Sequence, residues 1–380
     1  MLRRKWLAGL LVVFMLTLIT PQLALGDEVD VKADSFVLMD ADSGKVLLSK
    51  NENKRLAPAS MTKLMTMILA AEDLQAARVR SGDKVIASEE AWKLGGSQIY
   101  LEPGEEMTFE EMMIAIAVGS ANDACVAVAE HLEGTHKNFV DRMNRKARLM
   151  GLKNTHFVNA YGLPAEGHYS SAYDMAVMAR YALNYPKIIE YTSIKEYNLR
   201  EGAFKLYNTN KLLWWYQGAD GLKTGWTNEA KYCLTATVKR DGLRLVGVVM
   251  GTPEKSGHFR DSMQLFNYGF AQYTYKSFFS RNSVCGTLTP GKGITDNIEV
   301  LAEEEVGSIV HKGQEKKITM KKSLANYVDA PIVKGQKLGE IKVYADGDLV
   351  KEVNMVAASD VDRCGIIRHL FKMFAETYLL

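Results

Sequence analysis

The stretch from Leu56 to Leu69 constrains the fold of this chain more than any other. Beyond Pro58, its apolar residues recur at spacings of three and four, which is the period of a helix that buries one face. Ser60 and Lys63 are one turn apart on that helix, so their side chains lie on neighbouring parts of its surface. The sequence therefore predicts a core helix that carries a hydroxyl beside an amine.

A Ser-x-x-Lys pair can act as a nucleophile and its base. A serine hydroxyl attacks only when a base takes its proton, and a lysine amine is such a base only when burial or a second cation lowers its pKa. The pattern alone is weakly specific, because Ser81 to Lys84 matches it within a predicted turn. A solvated serine and lysine at an ordinary helix start is the alternative that four residues leave open.

The first 26 residues are typical of a secretory signal peptide. The cations of Arg3–Lys5 precede an apolar run from Trp6 to Ile19, and small residues occupy positions 24 and 26. We expect cleavage before Asp27. An uncleaved membrane anchor is the alternative, but the apolar run is short for a membrane span. The chain is therefore predicted to be exported.

Net charge and the missing metal and hydrolase motifs exclude several other classes. Removal of the three signal-peptide cations reduces 47 Lys and Arg to 44, against 45 Asp and Glu. A near-neutral mature chain gives no indication of nucleic-acid binding. The seven histidines form no His-Glu-x-x-His pattern and no Gly-x-Ser-x-Gly is present, so neither a metalloprotease nor an α/β-hydrolase is expected. No metal or cofactor is predicted.

The four cysteines, Cys125, Cys233, Cys285 and Cys364, are widely spaced and form no Cys-x-x-Cys motif. Export permits disulfides, but this spacing does not predict a disulfide scaffold. Cys125 and Cys233 lie in apolar runs, where buried free thiols fit at least as well as disulfides.

The pattern of elements predicts an α+β chain whose character changes near residue 281. Residues 27–280 are expected to form one domain, with hairpins at Ser35–Lys50 and Tyr232–Met250, a capping box at Thr108–Glu111 and a closing helix over Ser262–Tyr275. A short strand or loop edge is expected at Ser97–Leu101. Residues 281–358 alternate short strands with glycine and charged turns, which predicts a small β domain.

Residues 359–380 predict an amphipathic helix that associates with a membrane surface. From Ile366 onward the apolar residues share one side of a helical wheel, and most of the charged residues share the other. The charges argue against a helix that spans the membrane. A helix packed on its own β domain is the alternative.

Two further tripeptides follow Ser60-x-x-Lys63 along the chain. Ser120-Ala-Asn122 lies in a predicted break between two apolar helices, and Lys223-Thr-Gly225 lies just ahead of a hairpin. Each is weak alone, because similar tripeptides occur at 255–257 and 280–282. Only the set at 60, 120 and 223 has the order and surroundings of the signature of penicillin-binding proteins and class A β-lactamases, which it resembles.

The resemblance extends over nearly the whole mature chain. Residues 30–275 resemble a low-molecular-mass penicillin-binding protein, a serine-type D-alanyl-D-alanine carboxypeptidase, through the stretches Leu56–Lys63, Ser120–Ala124, Gly151–Asn159 and Asp220–Gly225. The β domain and the amphipathic tail are similar to that family's usual C-terminal arrangement. The resemblance implies a penicillin-binding-protein/β-lactamase-like transpeptidase fold, with an antiparallel sheet between helices on both faces. Ala121 replaces a glycine of many relatives, and both residues fit the pattern.

The resemblance and the chemistry of the groups assign roles around the nucleophile. Ser60 is expected to attack a carbonyl and form an acyl-enzyme, with Lys63 as the general base. Ser120 is expected to pass a proton toward the leaving amine, while Asn122 hydrogen-bonds the substrate amide and a catalytic side chain. The backbone N–H groups of Ser60 and Trp226 are expected to form the oxyanion hole.

The third motif is expected to bind substrate. Lys223 and Thr224 offer a cation and a hydroxyl to a carboxylate, and Gly225 lets the substrate backbone approach the strand. A lysine that binds a carboxylate favours a carboxypeptidase over an endopeptidase. The implied substrate is a peptidoglycan stem peptide that ends in D-Ala-D-Ala, with β-lactams as covalent inhibitors. The implied location is the outer face of the cytoplasmic membrane.

Two other functions are compatible with the same motifs. A β-lactamase needs a carboxylate loop that activates water, and Glu166–Ser170 lacks the asparagine of the class A Glu-x-x-x-Asn pattern. A non-catalytic wall-binding scaffold is disfavoured because every expected catalytic residue is present. A transpeptidase or endopeptidase of the same class stays open, since the choice of water or an amine as acceptor depends on the shape of the active site.

Overall fold

A computed structural model describes residues 29–365, so the predicted signal peptide and positions 366–380 of the predicted C-terminal helix lie outside the described residues. The helices of the described part are, in chain order, α1 (Lys63–Gln75), α2 (Glu89–Trp92), α3 (Phe109–Ile114), α4 (Asn122–Glu133), α5 (His136–Leu149), α6 (Ala172–Ala182), α7 (Pro186–Ser193), α8 (Leu212–Trp215) and α9 (Gly257–Gln272). A 3-10 turn, Ala59–Thr62, precedes α1, and a π-helical turn, Ala115–Gly119, continues α3.

The strands of the first domain are β1 (Ser35–Asp40), β2 (Val46–Lys50), β3 (Lys84–Ile86), β4 (Glu106–Thr108), β5 (Glu196–Leu199), β6 (Phe204–Tyr207), β7 (Ala219–Thr227), β8 (Lys231–Arg240) and β9 (Leu243–Thr252). Further along the chain lie β10 (Tyr273–Phe279), β11 (Val284–Leu288), β12 (Ile298–Ala302), β13 (Val306–His311), β14 (Ile318–Leu324), β15 (Lys337–Ala345) and β16 (Asp348–Ala357).

Five antiparallel strands form the central sheet in the order β2-β1-β9-β8-β7. Alternate residues of a strand point to opposite faces. Accordingly, Val246 and Val248 join the core that contains α1, whereas Leu245 and Gly247 lie against α9. The two predicted hairpins and the helices on both faces of the sheet are confirmed. Strand β7 is an edge strand, so its outer side is not covered by another strand of this sheet.

Helix α1 is more buried than its sequence period indicates. Every residue from Lys63 to Ala71 is buried, because α1 packs on α4, α6 and α7 as well as on β7. A helix that is buried all round belongs to the interior of a large domain. The amine of Lys63 is therefore carried into the core by its own helix.

The predicted capping box is present, since Thr108 accepts from the Glu111 N–H and the Glu111 carboxylate accepts from the Thr108 N–H. The predicted strand or loop edge at Ser97–Leu101 contains no strand, because Asp123 binds its backbone N–H groups in place of a neighbouring strand. Helix α7 and the β5–β6 hairpin have no counterpart in the sequence-based prediction.

The C-terminal region contains a second antiparallel sheet, in the order β11-β12-β16-β15-β14, with its own core. The predicted closing helix ends at Gln272, and Tyr273–Tyr275 instead begin β10, which pairs with β13. Residues 361–365 are extended, since Val361 pairs with Ile332 and Arg363 with Gly293. Within residues 29–365, no helix is long and apolar enough to cross a membrane.

Candidate active site

Ser60 lies on the 3-10 turn that enters α1, rather than on the α-helix that the sequence predicts. Ala59, the residue before it, has a left-handed backbone with φ of 47°. Such a conformation is uncommon for a residue with a Cβ and is concentrated at functional sites. The tight turn places the Ser60 Oγ 3.0 Å from the Nζ of Lys63.

The Lys63 amine has three hydrogen-bond partners, which differ in whether they can donate. Its Nζ lies 2.7 Å from Asn122 Oδ1 and 2.6 Å from the Tyr161 carbonyl oxygen, both of which only accept. The third partner is the Ser60 hydroxyl, which can donate. A neutral amine has two N–H groups and one lone pair. The three partners suit an ammonium that donates to all of them, and they equally suit a neutral amine that donates twice and accepts the Ser60 proton.

Burial favours that neutral state. Lys63 is 0% exposed, and desolvation lowers its pKa from 10.5 to about 8. Asp123, a nearby carboxylate, acts in the opposite direction, so the amine keeps a pKa above neutrality. The expected condition for a lysine base, a pKa well below its ordinary value, is met.

Lys223 and Thr224 lie on β7, on the edge of the central sheet. Lys223 is 1% exposed, and burial together with the charge of Lys63 lowers its pKa to about 7. Its Nζ lies 3.3 Å from the Thr224 carbonyl oxygen, and the Thr224 hydroxyl donates to Thr209 at 2.7 Å. The first and third motifs therefore converge, although 160 residues separate Lys63 from Lys223.

Gly225 permits this convergence. A Cβ at this position would lie 2.8 Å from the Pro58 carbonyl oxygen and 3.2 Å from the Met61 N. Only a residue without a side chain allows β7 to lie so close to the turn that carries Ser60. The backbone of Trp226, the next residue, is consequently held beside that turn, while its indole is exposed.

The second motif reaches the site through Asn122, which accepts from Lys63. Ser120 ends the π-helical turn with φ of 59°, and this left-handed residue starts the turn into α4, where Asn122 lies. Asn122 Nδ2 donates to the Gly95 carbonyl at 2.7 Å, and its backbone N–H donates to Ser97. Asn122 thus links Lys63 to the loop at 95–101.

Asp123 holds the same loop in place. Its carboxylate is 0% exposed and accepts from the backbone N–H groups of Ile99, Leu101 and Ala124 at 2.9 to 3.2 Å. Buried charges are tolerated when hydrogen bonds replace water. No role for Asp123 is predicted from the sequence, although it directly follows Asn122 of the second motif.

The segment around Tyr161 also belongs to the site, and the sequence did not predict it. Asn159 Oδ1 accepts from the N–H groups of Tyr161 and Gly162, which fixes the Tyr161 carbonyl that accepts from Lys63. Gly162 has φ of 89°, and a Cβ there would overlap the Ala59 carbonyl. Every residue has a backbone carbonyl, so the identity of Tyr161 gives no sign that its carbonyl accepts from Lys63. Gly162 was the only available signal in this segment.

His168 stabilises the 3-10 turn that carries Ser60 through a hydrogen bond to Thr62. Its Nδ1 accepts from the Val158 N–H at 3.0 Å, so the ring proton is on Nε2, 2.8 Å from Thr62 Oγ1. Burial lowers the pKa of His168 to about 4, which keeps the ring neutral. His168 therefore positions the turn and is not a base for Ser60.

The described residues contain no cluster of three or more His, Cys, Asp or Glu side chains suited to a metal ion. Cys125, Cys233, Cys285 and Cys364 are free thiols, and the first three are buried. Burial raises the pKa of Cys125 and of Cys233 to about 12, so both thiols are protonated at neutral pH. The side chains gathered at Ser60 are a hydroxyl, amines and amides.

A serine with a buried lysine at its hydroxyl, beside an edge strand that carries a second buried lysine, defines a serine hydrolase of the penicillin-binding-protein fold. Comparison with known families agrees. Residues 22–254 match the model of the D-alanyl-D-alanine carboxypeptidase family, and residues 273–363 match that of the penicillin-binding protein 5 C-terminal domain.

Individual relatives are similar over most of the chain. D-alanyl-D-alanine carboxypeptidase DacF of Bacillus subtilis is 43% identical over 349 residues, which cover 91% of this chain and 90% of that protein. The crystal structure of penicillin-binding protein 5 from Haemophilus influenzae has a TM-score of 0.68 and 30% identity, and the match covers 88% of this chain and 98% of that one. Penicillin-binding protein D2 of Listeria monocytogenes, in its ampicillin-bound form, has a TM-score of 0.59 and 29% identity over 64% of this chain and 99% of that one.

The chain belongs to the family of D-alanyl-D-alanine carboxypeptidases. It is a serine-type carboxypeptidase, as the resemblance of its three motifs implied.

Proposed function

We propose that the chain removes the terminal D-alanine from peptidoglycan pentapeptides through an acyl-enzyme on Ser60. The observation that carries this proposal is the set of partners around Lys63, because two acceptors hold two of its N–H groups and its third hydrogen-bond position faces the Ser60 hydroxyl at 3.0 Å. Lys63 takes the Ser60 proton as the oxygen attacks the substrate carbonyl. Water then hydrolyses the ester and frees the enzyme.

The second motif completes the proton path and holds the substrate. Ser120 passes the proton from Lys63 to the leaving amine, since its turn is joined to the site through Asn122. The amide of Asn122 has one N–H bound to Gly95 and a second N–H that is suited to the carbonyl of the substrate amide. Asn122 also keeps Lys63 in place.

Lys223 and Thr224 bind the terminal carboxylate. A buried cation attracts an anion far more strongly than an exposed one, because water screens the interaction less. The substrate lies along the uncovered edge of β7 as an added strand, with Gly225 allowing the close approach. The N–H groups of Ser60 and Trp226 stabilise the oxyanion of the tetrahedral intermediate.

Release of D-alanine from an acetylated Lys-D-Ala-D-Ala peptide tests this proposal. Ser60→Ala is expected to abolish release while the unfolding temperature stays within a few degrees of the wild-type value. Ser277→Ala, which removes an exposed hydroxyl from β10, is the matched control and is expected to leave the rate unchanged. Release by Ser60→Ala at the wild-type rate would contradict the assignment.

The same site is proposed to bind β-lactams covalently, as the ampicillin-bound relative of Listeria supports. Within the described residues, none of the hydrogen bonds of Ser60, Lys63 or Asn122 goes to a carboxylate that would activate water for rapid hydrolysis. Slow release of the penicilloyl group is therefore expected. Many rapid turnovers of penicillin would favour the β-lactamase alternative.

We propose that the chain is exported and acts on the outer face of the cytoplasmic membrane. Residues 1–26 serve as the signal peptide, 27–280 as the catalytic domain and 281–358 as the small β domain. The membrane helix predicted over 359–380 is corrected at its start, because residues 361–365 are extended, and only positions 366–380 are proposed as a peripheral membrane helix. A chain ending at Gly365 keeps the buried Val361 and is expected to remain active but to leave the membrane fraction. Unchanged membrane retention would contradict the membrane helix.

A further inference from the structure

His136, the first residue of α5, contacts the segment whose backbone carbonyl accepts from Lys63. Its imidazole Nε2 accepts from the Ala160 N–H at 3.1 Å. The same ring stacks on the Tyr161 ring, with the ring centroids 5.4 Å apart and the planes at 23°. His136 therefore binds the residue that supplies the Lys63 acceptor and the residue directly before it.

The neighbours of the imidazole fix its tautomer. The Ala160 N–H can only donate, so Nε2 accepts and the ring proton is on Nδ1. Nδ1 lies 3.0 Å from Glu90 Oε1 on α2, to which it donates. The side chain of His136 is 13% exposed and that of Glu90 is 57% exposed. A carboxylate in contact with solvent thus orients a largely buried ring.

The bond from His136 completes the hydrogen bonding of a short backbone segment. Asn159 Oδ1 accepts from the N–H groups of Tyr161 and Gly162, and His136 accepts from the N–H of Ala160. On the other side of the segment, the Ala160 carbonyl accepts from Thr66 of α1 at 2.6 Å, and the Tyr161 carbonyl accepts from Lys63 at 2.6 Å. The segment is therefore held between α5 and the helix that carries the base. Removal of the imidazole would leave the Ala160 N–H without its acceptor and allow the segment to shift relative to α1.

We propose that His136, oriented by Glu90, is a positioning residue that holds the Tyr161 carbonyl where Lys63 can act as the base for Ser60. This inference rests on the proposed function of Ser60 and Lys63. His136 acts through Tyr161 and not on the reacting atoms. A carbonyl that accepts from an amine stabilises the charged form of that amine, so a displaced Tyr161 carbonyl both misplaces Lys63 and lowers its pKa further.

The test measures kcat/KM for release of D-alanine from the acetylated Lys-D-Ala-D-Ala peptide between about pH 5 and pH 10. Rates are expressed per active site, counted by acylation with benzylpenicillin. His136→Phe retains a ring that can stack on Tyr161 and removes both nitrogens. Its kcat/KM is expected to fall about tenfold, the effect of one lost hydrogen bond, and the ascending limb of its pH profile is expected to move about 0.5 pH unit lower.

Two variants distinguish the hydrogen bond from the bulk of the ring. His136→Gln has an amide oxygen that can accept from the Ala160 N–H, and it is expected to recover kcat/KM to within about threefold of the wild type, with the wild-type ascending limb. His311→Phe, at an exposed histidine whose ring lies 4.3 Å from that of Tyr273, is the matched control and keeps the wild-type rate and profile. The other ionisable groups that influence the Lys63 amine are the same in all these variants, namely Asp123, Cys125 and Lys223.

Glu90→Ala tests the same arrangement at an exposed position that does not threaten folding. It leaves the imidazole in place without its orienting carboxylate, and kcat/KM is expected to fall about threefold. Should His136→Phe yield no folded protein, Glu90→Ala and His136→Gln decide the matter.

The outcomes separate this inference from the proposed function. A wild-type rate for His136→Phe or for Glu90→Ala overturns the inference, and so does a loss in His136→Gln as large as that in His136→Phe. A rate that falls in His136→Phe with an unchanged pH profile assigns His136 a structural role alone and also overturns it. Failure of the wild-type protein to release D-alanine overturns the proposed function itself.

Discussion

Lys63 and Lys223 are fully buried in one site, and the charge of Lys63 contributes to the low pKa of Lys223. Two buried ammonium groups in one site repel each other, so near neutral pH the pair holds about one proton between them. The mechanism needs one amine neutral and the other charged. In the free protein Lys63 has the higher pKa, about 8 against about 7 for Lys223, so a carboxylate bound at Lys223 is needed to draw the proton to Lys223 and leave Lys63 neutral.

This relationship predicts a bell-shaped pH dependence of kcat/KM. Below about pH 7 both amines are protonated and Lys63 cannot accept the Ser60 proton. Above about pH 8 both are neutral and Lys223 no longer binds the carboxylate. The maximum is expected between these values, which belong to the pair rather than to one residue. Lys223→Arg keeps its charge and is expected to lose the descending limb. A wild-type rate that rises steadily toward pH 10.5, the ordinary pKa of lysine, would contradict this account.

Lys63→Met tests the base directly. Methionine has similar length and no proton to exchange, so kcat/KM is expected to fall about 10²- to 10⁴-fold, the usual contribution of general base catalysis. Lys93→Met, at an exposed lysine that pairs with Glu89, is the matched control and is expected to retain wild-type kinetics. A loss smaller than tenfold for Lys63→Met would show that another group takes the proton.

Gly162→Ala is expected to disturb the nucleophile turn. The new Cβ would overlap the Ala59 carbonyl, and the residue would keep a φ of 89° that alanine rarely adopts. Gly134→Ala is the matched control, since Gly134 has φ of 74° with nothing within 4 Å of the Cβ position. The control is expected to cost about 1 kcal/mol of unfolding free energy, and Gly162→Ala at least about 2 kcal/mol more. Equal values in urea unfolding would exclude the predicted overlap.

Asp123→Asn is expected to loosen the loop at 95–101. The amide replaces a carboxylate oxygen with an N–H₂ group that faces backbone donors, which costs about 2 to 3 kcal/mol in unfolding free energy. The loop binds Asn122, so kcat/KM is expected to fall as well. Asp141→Asn, at an exposed residue paired with Lys137, should stay within about 0.5 kcal/mol of the wild type. A stable Asp123→Asn variant would mean that the loop does not depend on this carboxylate.

The parts of the fold and site that the sequence predicted have local causes. The β1–β2 and β8–β9 hairpins have alternating strands and turn residues, and the capping box has its two partners three residues apart. The Ser60–Lys63 pair was predictable for the same reason. Their spacing alone places the two side chains on one surface.

The missed parts depend on contacts between distant segments. The Tyr161 carbonyl reaches Lys63 from 98 residues away, and the 3-10 turn at Ser60 is held by Gly162 and Gly225. Tyr273–Tyr275 continue the apolar pattern of α9, but their partner strand β13 lies more than 30 residues further along the chain. The spacing of apolar residues within one segment does not show which distant segment will pack against it.

Mass spectrometry after brief exposure to benzylpenicillin tests the central claim most directly. Trypsin cuts after Arg55 and Lys63 and releases the peptide Leu56–Lys63, which contains Ser60. A single penicilloyl adduct is expected on this peptide in the wild-type protein, and none is expected in Ser60→Ala. An adduct on another peptide, or an unmodified wild-type protein, would contradict it.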